Sequence, residues 1–224
     1  MVTLDSVAAH ANALTQFLRG VERRAAVFAQ LQVGDPDHGD LTLEATLREF
    51  VNDVRDCPED SWTPRFWAML ASSPMLEQEV LAPFWPGDLA PLARLEAGPR
   101  VALLLRLVAQ LDDEMAAEVV GIDAASYRLV LQTSLPQRPE GGADGPAWLA
   151  MRDEARYAVE DLTVDRLATI ARVRDAVIAE TAAPPTPESE ETRGAARLVR
   201  GLPGSAGSLA SGLLGRLRNS LRPS

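Results

Sequence analysis

The chain has 224 residues, 46% of them hydrophobic but only 5% aromatic, with a net charge of −10 and a pI near 4.7. This length supports a sizeable core, and an apolar set dominated by Ala, Leu and Val favours helices over a β-sandwich. The acidic balance argues against tight autonomous binding to nucleic acid, where phosphate neutralisation by a basic face supplies most of the affinity. A single cysteine, Cys57, excludes an internal disulfide and fits a reducing compartment. No charged start followed by an apolar run suggests a signal peptide. No window of ~18 apolar residues suggests a membrane span. A cytoplasmic location is the expectation.

In chain order, residues 1–33 predict a helix. Ala8, Leu14, Phe17, Leu18, Val21, Ala25, Phe28 and Leu31 recur at spacings of three and four. GDPDHGD (34–40) reads as a loop, with Asp40 capping a second helix over 41–54 whose Leu43, Leu47 and Phe50 face inward. CPEDSWTP (57–64) is a break. Phe66, Trp67, Met69 and Leu70 begin a third helix, limited by Pro74. Residues 77–99 carry Pro83, Pro86, Pro91 and Pro99 and read as a linker with short helical pieces.

Residues 100–135 predict three short helices with two tight joints. Leu103, Leu104 and Leu107 lie at helical spacing in the first. Asp112 or Asp113 caps the second, Gly121 ends it, and Asp123 caps the third, whose Tyr127, Val130 and Leu131 share one face. A helix, a Gly-containing turn and a second helix make the helix-turn-helix pattern. PQRPEGGADGP (136–146) is a boundary loop. Two further helices follow over 148–159 and 164–180, the second with a stripe of Leu167, Ile170, Val173 and Val177, and Leu162 just before it. The expectation is an all-α chain with lobes at 1–76 and 100–135, joined by the 77–99 linker. A helical extension covers 147–182, and a Pro/acidic linker leads into a basic, Gly/Ser-rich, disordered tail over 183–224. From Pro184 onward there are six Arg and three Glu, so the part before carries about −13 by difference. Such a tail could solvate, lie on an anionic membrane, bind nucleic acid or dock on the acidic body.

The central residues resemble region 4 of the extracytoplasmic-function group of sigma-70 factors, without a gap. Arg100 falls on the leading Arg and Leu111 opens the helix-turn-helix. Ala117 takes the tightly packed Ala, Gly121 and Ile122 the Gly-Ile turn, Tyr127 the buried Val, Arg128 the Lys and Leu131 the Leu. ERRAAVFAQLQVGDP (22–36) and RFWAML (65–70), with Trp67 as the matching Trp, are similar to the start and end of region 2. The resemblance spans about residues 14 to 135. It implies a non-enzymatic initiation factor whose first lobe binds RNA polymerase core near Asp40 and Glu44. Its second lobe would touch promoter DNA through Ser126, Arg128 and Gln132. An anti-sigma or other protein partner is a further implication, and no stable membrane insertion is implied.

Three departures accompany the likeness. DLTLE (40–44) lacks the Gln of the family's core-binding signature, residues 42–54 are mixed in charge, and Arg128 is the only basic residue of its helix. Seven acidic and four basic residues lie between Asp88 and Leu135. They suggest either weak DNA contact within a polymerase complex or, alternatively, a sigma-derived protein-interaction module that has lost DNA binding. The aromatic run Trp62, Phe66, Trp67, Phe84 and Trp85 suits core filling, or else a stacking platform for unpaired bases. His38 among Asp35, Asp37 and Asp40 lacks the EF-hand spacing, so no metal is expected there. Cys57 reads as a packed thiol. No nucleophile, phosphate-loop or dinucleotide motif is present, so no catalytic residue and no cofactor are expected.

Overall fold

The computed structural model describes residues 4–182, and the tail predicted over 183–224 lies outside them. All regular elements among the described residues are helical. They are α1 (Leu4–Val33), α2 (Pro36–Asp53), α3 (Trp62–Ala71), α4 (Ala97–Leu107), α5 (Asp113–Val120), α6 (Ala124–Ser134), α7 (Gly145–Glu160) and α8 (Val164–Ala182), with short 3-10 turns between α2 and α4. The described residues are thus all-α, as the composition predicts. No described helix is long and apolar enough to cross a membrane.

The α1–α2 hairpin is the framework. Its joint is shorter than the loop predicted over 34–40, because Asp35 sits at the cap with extended backbone and accepts from the His38 N–H at 2.7 Å. Pro36 follows at the first helical position, where its fixed φ and missing N–H cost nothing. Asp40, predicted as the cap, is therefore a full turn inside the helix. The two helices nearly touch at Gly39. A methyl group there would lie 2.5 Å from the Gln30 amide nitrogen, so any larger residue would force them apart. His38 is tied down by a 2.7 Å bond between Nε2 and the Met75 carbonyl.

The aromatic residues of α1, α2 and α3 form one packed cluster. Phe17 stacks on Phe50 at 5.4 Å between centroids, and Phe66 meets Phe50 and Trp67 edge-on at 5.3 and 5.5 Å. Trp62, Phe66 and Trp67 are buried, so these three fill the core and offer no stacking surface. Cys57 lies half-buried beside it, its thiol directed at the Asp53 carbonyl.

Residues 77–99 are pinned along the body despite their prolines. The Phe84 N–H donates to the Gly34 carbonyl at 2.8 Å, and the Trp85 indole donates to the Leu31 carbonyl at 2.6 Å. Gly34 has φ +78°, and a Cβ there would meet the Phe84 amide at 2.9 Å, so the crossing needs glycine twice over. Leu89 and Leu92 then enter the core. The two predicted lobes share a single hydrophobic cluster: α3 packs on α5, α4 packs on α1, and the Arg24 guanidinium donates to the Ala109 carbonyl at 3.3 Å.

The extension closes the molecule. Asp144 caps α7, which packs on the 3-10 turn at Gly87–Arg94 and on α1. α8 lies across α1 and α2.

Candidate functional site

The 100–135 unit folds as three helices at the predicted joints. Asp112 accepts from the Met115 N–H at 2.8 Å to start α5. Gly121 ends α5 at φ 73°, the left-handed conformation that lets the helix terminate, and the Ile122 N–H returns to the Ala117 carbonyl. Asp123 starts α6, accepting from both the N–H and the hydroxyl of Ser126 at 2.9 and 2.6 Å. Those bonds, the hydroxyl's first, hold the Asp123 carboxyl below its ordinary range. With the native value depressed, its capping contribution is present at neutral pH and is lost as pH falls through that lowered value.

Tyr127 locks the unit together. Its ring is fully buried, and its hydroxyl donates to the Ala102 carbonyl of α4 at 2.8 Å. Burial pushes this phenol far above its usual range, so it remains a donor at any physiological pH.

The three residues expected at DNA are differently placed. Arg128 and Gln132 are exposed and one turn apart on α6, hence on one face. Ser126 is two residues before Arg128, away from that face, and its hydroxyl is already spent on the cap. Arg128 reaches back to the first turn of α5, donating to Asp113 at 3.1 Å and Glu114 at 2.9 Å. A phosphate would have to displace both carboxylates. The pairs themselves are solvent-exposed, so each is worth only about 0–1 kcal/mol.

Asp40 and Glu44 lie one turn apart on α2, and both are engaged within the chain. Arg166 of α8 grips Asp40 with Nε and Nη2, the shortest contact being 2.7 Å, and its Nη1 donates to the Gln30 side-chain oxygen at 2.5 Å. Glu44 pairs with Arg48 at 2.6 Å, and Arg48 in turn approaches Glu180 of α8 at 3.6 Å.

Two arginines carry structure that their spacing alone did not assign. Arg100, aligned above with a family Arg, donates to the Leu92, Gln32 and Leu95 carbonyls at 3.0, 2.6 and 2.6 Å, and its guanidinium lies 4.7 Å from the Trp85 ring centre. Burial lowers its pKa from the ordinary arginine value. Arg174 of α8 is 5% exposed and makes two 2.8 Å bonds to the Glu22 carboxylate. The signal was present: Arg166, Ile170 and Arg174 follow one another at i+4, on the stripe that Val177 completes.

No group of His, Cys, Asp or Glu among the described residues is arranged to hold a metal ion. No protein-family profile, curated protein or solved structure matches the chain. The class that fold and site define is an all-α protein with a capped helix–turn–helix unit built into its core.

Proposed function

We propose that this chain is a sigma-70-like transcription initiation factor acting in the cytoplasm. It is not an enzyme, since the polymerase supplies the chemistry. The α1–α2 face around Asp40 and Glu44 docks on RNA polymerase core, and α6 is offered to the upstream (−35) promoter element through Arg128 and Gln132. The observation that supports this most is the α4–α5–Gly121–α6 arrangement. Its caps, left-handed glycine and buried Tyr127 fall on the residues that align without a gap to region 4. The local charge sets how DNA is held. With Arg128 already paired to two acids, free DNA is bound weakly, and polymerase must supply most of the affinity. Reconstitution of the full chain with core polymerase, followed by sequencing of the transcripts, tests the proposal. The expected result is a set of transcripts sharing an upstream element. Absence of both polymerase association and promoter-dependent transcripts would refute it.

One observation favours a second reading, a sigma-derived protein-interaction module without DNA binding: the two carboxylates closing on Arg128. The variant Asp113→Asn/Glu114→Gln separates the two. Under the first reading it binds promoter DNA about tenfold more tightly than the parent in low-salt gel shifts, and the gain fades with added salt. Under the second, neither protein shifts DNA at any salt.

A further inference from the structure

The last described helix, α8, covers the α1–α2 face proposed for polymerase binding. α8 is tethered to α7 by Asp161, Leu162 and Thr163 alone, and its principal contacts are with α1 and α2. One stripe makes the attachment. Arg166 meets Asp40 and Gln30, Ile170 is buried, Arg174 meets Glu22, and Val177 is buried. Ile170 and Val177 are the only described apolar side chains of α8 that are fully buried. The opposite face, with Asp165, Arg172 and Asp175, is exposed.

A helix seated this way is specified by charge geometry more than by apolar area. Two guanidiniums eight residues apart on α8 must meet one carboxylate on α1 and one on α2: Arg166 forks Asp40 with Nε and Nη2, and Arg174 reaches both Glu22 oxygens through Nη1. Four apolar side chains of α8, Ile170, Val173, Val177 and Ile178, are uncovered when the helix leaves, while its charged groups regain water. The same docking removes the α1–α2 carboxylates from any other partner. Asp40 is gripped directly, and Glu44 is reached through Arg48 and Glu180.

We infer that α8 is an internal competitor for the polymerase-binding face, and that polymerase binding requires α8 to leave the α1–α2 hairpin. The inference rests on the proposed sigma-like function. It adds that the unbound protein is held closed, and that the polymerase surface replacing α8 presents basic groups to Glu22 and Asp40 with aliphatic side chains between them.

The test uses the full chain with core polymerase. Arg166→Ala is expected to bind the polymerase about tenfold more tightly than the parent, the gain expected if the competent open form is about a tenth of the unbound population. Arg166→Lys, which keeps the charge and loses the fork, should fall between them. In hydrogen exchange on the parent, amides of α8 should lose protection on adding polymerase while those of α4 and α6 keep theirs. Unchanged or weaker binding by a folded Arg166→Ala overturns the inference and leaves the sigma-like reading intact, as does an α8 that stays protected in the complex. Should Arg166→Ala fail to fold, the exchange result on the parent decides alone. If neither parent nor variant associates with polymerase, the sigma-like reading fails and the inference falls with it.

Discussion

Replacing Arg100 with alanine is expected to destabilise the protein by roughly 3–5 kcal/mol, because it orphans three inward-facing carbonyls at once. Its guanidinium joins the end of α1 through Gln32, the 3-10 turn through Leu92 and Leu95, and the aromatic face of Trp85. Each bond from a charged donor contributes about 1.5–3 kcal/mol, and the contact over the ring about 0.5–1 kcal/mol more. Water entering the half-buried site offsets part of the loss, which sets the lower end of the range. Arg100→Lys should recover less than half, since an ammonium is a point donor without the planar fork. Urea unfolding followed by circular dichroism measures both. A loss under 1 kcal/mol for the alanine variant would show that the carbonyls find other partners.

Arg174→Met should leave the Glu22 carboxylate nearly buried and unpaired. Breaking a buried ion pair from one side costs roughly 3–5 kcal/mol. The cost should appear first as local opening. Once α8 detaches, Glu22 meets water, so the global penalty cannot exceed the free energy that held α8 in place. Hydrogen exchange is therefore the sensitive readout: α8 amides should lose their protection while the unfolding midpoint moves little. The double variant Glu22→Met/Arg174→Met removes both charges and keeps the volume, and it should return to within about 1 kcal/mol of the parent. A double variant no better than the single would mean that the pair was not the source of the loss.

The elements that short-range chemistry determines were readable in the sequence. Asp112, Gly121 and Asp123 placed the ends of α5 and α6, because caps and left-handed glycines act over three or four residues. The composition of residues 34–40 pointed to a loop, whereas after the capping Asp35 the proline at 36 starts a helix. Contacts between distant residues were hidden. Arg166 and Arg174 lie on the apolar stripe of α8, but their partners are 126 and 152 residues away, beyond the reach of any local pattern. The aromatic run was correctly read as core at Trp62, Phe66 and Trp67. Phe84, 70% exposed in the same run, shows that a cluster in sequence need not be one in space. At the expected DNA-facing positions, spacing placed Arg128 and Gln132 together but could not show Asp113 and Glu114 folding back onto Arg128.

The position of α8 along the chain also gives the molecule a history during synthesis. Arg166 follows its partner Asp40 by 126 residues. At roughly 5–20 residues per second, the ribosome needs on the order of 6–25 s to cover that distance. The α1–α2 hairpin can form throughout that interval, with Glu22 and Asp40 still facing solvent. A nascent chain thus displays openly, for several seconds, the surface that the finished one keeps under its last described helix.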